Sequence, residues 1–349
     1  MAGYPFNNIE EPLLKHLIKK PLVIGIGGGG DVVGAVHIYM WLRRLGAECI
    51  LASIPWERFT VDPTPGPISI SEINGGRIVG NYAVLVEGDE YVVRGGRRIV
   101  PQGVRIARLL KVNVALIDAT YGEYGIRRGI EELANHFGVD LVVGVDVGGD
   151  VTARGLEDNL WSPLMDSLAL SAIANSRLYG LIGIHSIGAD GELDIDVVLS
   201  RIAEIAKNNG LICVYGLCRG DMKVLEMILR EVETEASRIA YLALQGFKGD
   251  KCIRLGTRKV HISPYSLVTF LVDASVLYGL SPMAQMLSGT KNILEANERL
   301  NNACIYTELN LEEDLYALLN LKHSITKNDV LCIYMEGVKR MKEKCKSHH

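Results

Sequence analysis

The sequence predicts an α/β protein: a doubly wound, mainly parallel, Rossmann-like sheet with a β-hairpin insertion and an α-rich C-terminal elaboration. Three observations carry this. Apolar, β-branched runs of strand length alternate with helix-period segments, the rhythm of βαβ units. Those runs are apolar on both faces, as strands covered by helices on both sides must be. Glycine is abundant (37 of 349 residues) while aromatic residues make up only 6%, the composition of a Val/Ile/Leu/Ala core with tight turns.

The strands are expected at Leu22–Gly27, Cys49–Ile54, Val112–Asp118, Leu141–Val147, Leu178–His185 and Leu211–Gly216. Between them, Val32–Leu45 sets Gly34, Ile38, Trp41, Leu42 and Leu45 on one helical face. Ile126–Phe137 is the next helix, and Ser162-Pro163 opens another with a favourable N-cap and first-turn pair. Asp194 is placed to cap Ile195–Asn208, and Met222–Glu231 follows. From 55 to 101 the rhythm breaks: Pro63, Pro65 and Pro67 stiffen the chain, and Glu87-Gly88-Asp89-Glu90 reads as a hairpin turn between Ile78–Val86 and Tyr91–Val93. Arg94, Arg97 and Arg98 around Gly95-Gly96 read as a solvated basic loop. Beyond 232 the pattern predicts a helix at Glu233–Leu244, short strands at Lys251–Leu255 and Lys259–Ile262, and a helix over Ser281–Asn301. The last forty residues read as a helix, an apolar segment at Val330–Tyr334 and a lysine-rich end. No repeat or linker divides the chain, so one α/β domain over 1–349 is the simplest account.

Charge and hydropathy exclude several function classes. With 37 Lys+Arg against 41 Asp+Glu the net charge is -4, which supplies no basic excess for general nucleic-acid binding. No apolar run reaches the roughly 20 residues of a membrane span. The first twenty residues lack the order of a signal peptide, and the reading is a cytoplasmic protein. The seven cysteines include no CxxC pair, so they are expected to be thiols in a reducing compartment. His348-His349 reads as a tag remnant. The apolar balance is compatible with a homo-oligomer.

The chemistry-bearing feature is the turn Gly25-Ile26-Gly27-Gly28-Gly29-Gly30-Asp31 between the first strand and the first helix. It satisfies GxGxxG in the required context, and successive glycines allow a ligand to approach the N–H groups at a helix start. Gly27, Gly28, Gly29 and Gly30 are therefore candidate ligand-binding residues. A dinucleotide reading lacks its second element, because no acidic residue ends the second strand at Ala52-Ser53-Ile54. Asp31 stands where a phosphate would sit, so it is either the helix N-cap or the holder of a metal or a ligand hydroxyl. A divalent cation such as Mg²⁺ would turn carboxylate and phosphate into partners.

A second turn, Asp146-Val147-Gly148-Gly149-Asp150, repeats the pattern and leads into a long loop carrying Arg154 and Glu157. Gly148, Gly149, Arg154 and Glu157 join the ligand-binding candidates, as does Asp118 at another strand end. Asp31, Asp146 and Asp150 are the candidate acid, base or activating carboxylates, with Asp31 and Asp150 as metal ligands. His185 is the histidine best placed for proton transfer. Asp190-Gly191 reads as a turn. P-loop, GxSxG, HExxH and cysteine-metal motifs are absent.

On GGGGDVVGA, on GVDVGGD with its Gly155/Glu157 and Ser162-Pro163-Leu164-Met165-Asp166 continuation, and on Ser263–Asp273, the chain resembles an archaeal and bacterial family catalogued as a domain of unknown function. The resemblance spans about residues 15 to 300. It implies a common fold and a common site at the glycine turns, and no reaction. The residues thus lead to an expected enzyme acting on a small nucleotide-like or phosphorylated metabolite by Mg-assisted hydrolysis or group transfer. The alternatives are a non-catalytic nucleotide or metabolite sensor and, more weakly, an NAD(P)-dependent oxidoreductase.

Overall fold

A computed structural model describes residues 19–322 and 324–346. The expectations for the first residues and for His348-His349 fall outside that range, apart from Lys19 and Lys20. The described strands are β1 (Leu22–Gly25), β2 (Ile50–Ser53), β3 (Arg77–Val79), β4 (Ala83–Val86), β5 (Val92–Arg94), β6 (Arg97–Ile99), β7 (Val114–Ile117), β8 (Leu141–Val147), β9 (Tyr179–His185), β10 (Leu211–Gly216), β11 (Gly249–Ile253), β12 (Arg258–Ile262) and β13 (Val268–Asp273). The helices are α1 (Val32–Arg44), α2 (Gln102–Leu110), α3 (Gly122–Phe137), α4 (Pro163–Ala174), α5 (Ile195–Lys207), α6 (Met222–Glu231), α7 (Ala236–Leu244), α8 (Ala274–Leu280), α9 (Pro282–Leu287), α10 (Ile293–Asn302), α11 (Glu308–Leu319) and α12 (Lys327–Lys346).

Nine strands form one mixed sheet in the order β10-β13-β9-β8-β1-β2-β7-β4-β3. Its centre, β9-β8-β1-β2-β7, is parallel throughout, and every residue of β1, β7 and β8 is buried. The α/β prediction is met. Helices α1, α2 and α6 pack on one face, around Val33, Ile38, Val104 and Leu225. Helices α3, α4, α5 and α8 to α10 pack on the other, around Ile130, Leu168, Ile202 and Leu287. From β1 the chain proceeds through α1 to β2 on one side, whereas β8 lies on the other side of β1 and leads through α4 to β9. The C-terminal ends of β1 and β8 therefore flank the topological switch point, where such sheets open a crevice.

Several local expectations are corrected. The hairpin of the insertion is not at 87–90. β3 pairs with β4, β4 extends the main sheet by pairing antiparallel with β7, and a separate hairpin joins β5 to β6 across Gly95-Gly96. The Glu90 carboxylate instead accepts the Glu87 and Gly88 N–H groups. Arg94 is not solvated: it is buried and pairs with Asp62 at 2.6 Å. β13 inserts antiparallel between β9 and β10, leaving β10 as an edge strand with Val214 exposed. The helix expected over Ser281–Asn301 breaks at Ser288–Asn292, with Gly289 at a φ of +73°. Val330–Tyr334 lies inside α12, not in a segment of its own.

Cysteine is corrected as well. Cys304 and Cys345 form a disulfide with Cα atoms 6.0 Å apart, an ordinary separation for the bond. It ties the end of α10 to α12, which also docks by stacking Tyr334 on Trp161 at 3.6 Å between ring centroids. The bond closes a loop of 41 residues, for which chain entropy supplies about 3–4 kcal/mol. Reducing it is expected to lower the melting temperature, and Cys304→Ser should melt alike with and without reductant. A wild-type protein whose unfolding is insensitive to reductant would contradict the cross-link. Among the described residues, no helix is long and apolar enough to cross a membrane.

Candidate functional site

The two glycine turns meet because β1 and β8 are neighbours. Asp31 follows β1 and stands before α1, yet its side chain caps no helix N–H. It turns back, and Oδ2 accepts the Gly27 N–H at 2.9 Å and the Val147 N–H at 3.3 Å. One carboxylate thus stitches the first turn to the end of β8. Asp146 on β8 faces the α4 side of the sheet, in the same alternation as Val142 and Gly144. There it meets Asp166 from the first turn of α4. One carboxylate oxygen from each of Asp31, Asp146 and Asp166 lies within 4.8 Å of the others.

A second acidic group adjoins the first. Asp150, Asp190 and Glu192 also place ligand oxygens within 4.8 Å of one another. Asp146 Oδ2 accepts the Val151 N–H at 3.4 Å, and Asp150 Oδ2 accepts the Ser162 hydroxyl at 3.5 Å. Glu192 accepts the Trp161 and Ser162 N–H groups, and Glu308 accepts those of Leu164 and Met165 at 3.0 and 2.7 Å. The start of α4 is thus capped from distant chain, and not by the Ser162 side chain, which bonds to Glu192.

So many buried carboxyls repel one another. Burial, aided by Asp190, pushes Asp31 up to about 7. Burial first, then the neighbouring carboxylates, raises Asp146, Asp150 and Asp166 well above the ordinary range. Burial and Glu192 push Asp190 up to about 6, and burial pushes Glu308 up to about 7. Asp166 Oδ1 and Asp190 Oδ2 are buried with no hydrogen-bond partner among the described residues. A buried, unpaired carboxylate oxygen is costly unless a proton or a cation meets it.

The glycines serve this arrangement more than they cradle an anion. A Cβ at Gly27 would lie 2.5 Å from Asp31 Oδ2 and 2.9 Å from Asp166 Oδ1, and one at Gly29 would lie 2.7 Å from Glu57 Oε1. The Gly29 N–H is taken by the Trp56 carbonyl. At Gly148, with φ at +139°, a Cβ would stand 2.3 Å from Asp190 Cγ. Gly149, with φ at +105°, faces Val198, and Gly28 and Gly30 complete the first turn. Carboxylates stand against Gly27, Gly29 and Gly148, and Trp56 against Gly28.

Other candidates lie elsewhere. His185 points to the α1 face, opposite Asp146, with its ring 5.4 Å from that of His37 and Nδ1 2.7 Å from Thr269 Oγ1. Burial holds it down to about 3, so it is neutral at working pH and separated by the sheet from the carboxylates. Asp118 accepts the Ile70 and Thr120 N–H groups and anchors the insertion. Glu157 accepts the Arg154 and Gly155 N–H groups, while the Arg154 guanidinium pairs with Glu204 at 2.5 Å. These three residues hold loops.

The sequence did not single out Asp166, Glu192 or Glu308 as site residues, and it assigned Asp190 to a turn. An acidic residue one turn into a helix that follows a strand-end Gly-Gly-Asp loop was the available signal for Asp166. Glu308, 142 positions from Asp166 in sequence, carries no such signal. No curated protein and no solved structure matches the chain. Residues 22–316 match the family described as protein of unknown function, DUF1152, and the chain belongs to that family.

Proposed function

We propose that this chain is a divalent-cation-dependent enzyme that hydrolyses, or transfers a group to or from, a small phosphorylated metabolite. The observation that carries the reading is the convergence of Asp31, Asp146 and Asp166 at the switch point, with Asp166 Oδ1 buried and without a hydrogen-bond partner among the described residues. An all-oxygen, all-carboxylate donor set suits Mg²⁺ or Mn²⁺. Such an ion supplies Lewis acidity and an activated water. Asp150, its proton affinity raised by burial and then by Asp166 and Asp190, and Asp190, raised by burial and Glu192, are the groups suited to take or give the proton.

The cation also decides what the site can bind. Without it, a phosphate would meet several carboxylates; with it, the same carboxylates become the phosphate's support. Calorimetry with Mn²⁺ at pH 8 is expected to show saturable binding. Affinity should fall as pH drops from 8 to 6, because the ion must displace protons held by Asp31 and its neighbours. A screen of phosphate esters should then find cation-dependent release of phosphate or transfer. Absence of Mn²⁺ binding at pH 8 overturns the reading.

A further inference from the structure

Beside the carboxylates lies a group of arginines that the sequence did not single out. Arg58 follows Trp56 and Glu57, the residues against Gly28 and Gly29 of the first turn. Its Nη1 donates to Glu235 Oε2 at 3.2 Å, and the backbone N–H of Arg254 donates to that same oxygen at 2.9 Å. Four residues on, the Arg258 guanidinium donates to Glu192 Oε1 at 2.7 Å and to the Asp190 carbonyl at 3.3 Å, with its carbon 4.8 Å above the Trp161 ring. The three side chains therefore run from the glycine turn to the second acidic group.

We propose that Arg58, Arg254 and Arg258 form an oxyanion subsite that takes the phosphoryl group of the substrate, next to the cation held by Asp31, Asp146 and Asp166; this rests on the cation-dependent reading above. Arg258 and Arg58 each have a carboxylate partner, Glu192 and Glu235. Arg254 forms no ion pair among the described residues, and the Nε atoms of Arg254 and Arg258 are buried without a partner among them. Burial, then Arg58 and Arg258, holds the Arg254 guanidinium well below its ordinary value. The chain also holds Arg254 and Leu255 in the left-handed region, at φ of +54° and +58°, a conformation that non-glycine residues rarely adopt.

The charges explain why the two halves belong together. Arg254 acts electrostatically on Asp31 and Asp190. A divalent cation on the aspartates takes that negative charge for itself and leaves Arg254 to Glu192 and Glu235, which already pair with Arg258 and Arg58. A phosphate, accepting from planar guanidinium forks on one side and approaching the metal on the other, restores neutrality. Cation and phosphate should therefore each tighten the other's binding, reciprocally.

The test is calorimetric titration of inorganic phosphate into the Mn²⁺-loaded protein, with acetate as the control anion. Arg254→Gln and Arg58→Gln are compared with wild type, folding of each being checked by circular dichroism. The expected result is phosphate affinity about tenfold or more weaker in a folded variant, the loss of one charge-assisted contact, with Mn²⁺ affinity in phosphate-free buffer little changed. Phosphate binding that is equal in wild type and both variants overturns the subsite while leaving the cation reading standing, and so does acetate binding as tightly as phosphate. Loss of Mn²⁺ binding in Asp166→Asn tests the cation reading separately. If Arg254→Gln does not fold, Arg58→Gln decides alone.

Discussion

Asp166→Asn is expected to raise the melting temperature of the metal-free protein at pH 8 and to abolish the stabilisation that Mn²⁺ confers on wild type. Asparagine keeps the shape of the side chain and removes one charge from a place where burial and the Asp146 and Asp31 carboxylates all oppose that charge. A carboxyl whose proton affinity is higher in the folded chain than in the unfolded one contributes stability that is complete below the unfolded value near 4. That contribution is lost as pH rises through the folded value. For Asp31 and Glu308 the window runs from about 4 to about 7; Asp146, Asp150 and Asp166, raised well above the ordinary range, lose their share in the same direction as pH rises. At pH 8 Asp31 and Glu308, which lie near 7, are ionised, and both act against a charge on Asp166. Removing the buried carboxylate charge, which has an oxygen without a hydrogen-bond partner among the described residues, should relieve about 1–3 kcal/mol, the ordinary cost of an unsatisfied buried polar group. At pH 5, where protons already quench the cluster, the advantage should shrink. Mn²⁺ at a hundred times its Kd adds about 2.7 kcal/mol to wild type and should add nothing to the variant. Thermal unfolding at pH 5 and 8, with chelator or Mn²⁺, measures all four cases. A variant less stable than wild type at pH 8, or one still stabilised by Mn²⁺, contradicts the site.

What the sequence makes legible here is what physics writes locally. Strands buried on both faces read as unbroken apolar runs, so β1, β2, β7, β8 and β9 could be placed with their helices. β13 could not, because Val268–Asp273 has no crossover helix before it and enters the sheet against the parallel rhythm. The insertion misled for a related reason. Glu87-Gly88-Asp89-Glu90 has turn chemistry, but whether it reverses a hairpin depends on the partner β4 finds, and that partner is β7. The site divides in the same way. Asp31, Asp146 and Asp150 were legible as strand-end carboxylates, while strand order, which makes β1 and β8 adjacent, brings them together among buried carboxyls. Glu192 and Glu308 reach the start of α4 from β9's far end and from α11, contacts that no local pattern encodes. His185 illustrates the converse: its strand-end position was right, and the two-residue period of β9 turned it to the other face.

Two glycines of the first turn separate scaffold from site, and their alanine variants are expected to fail in different ways. At Gly25 a Cβ would stand 2.4 Å from the Val32 nitrogen and 2.5 Å from the Asp31 carbonyl carbon. Both are backbone atoms at the start of α1, packed against the sheet, and neither can give. Gly25→Ala therefore forces α1 off β1, where Val32, Val33 and Val36 are fully buried. Overpacking of this kind costs about 1–3 kcal/mol and more where backbone must move, so the variant should be insoluble or markedly less stable. At Gly27 the obstacles are the Asp31 and Asp166 carboxylate oxygens, at 2.5, 2.9 and 3.0 Å, side-chain ends that can shift where backbone cannot, Asp31 by weakening its bonds to the Gly27 and Val147 N–H groups. The backbone there lies outside the left-handed region, so alanine is tolerated conformationally. Gly27→Ala should fold with a loss of about 1 kcal/mol and bind Mn²⁺ at least tenfold more weakly, because its methyl group occupies the space between two of the three ligands. Circular dichroism and Mn²⁺ calorimetry on the two variants distinguish these outcomes. A folded Gly27→Ala protein with wild-type Mn²⁺ affinity would show that Asp31 and Asp166 do not close on a common ion.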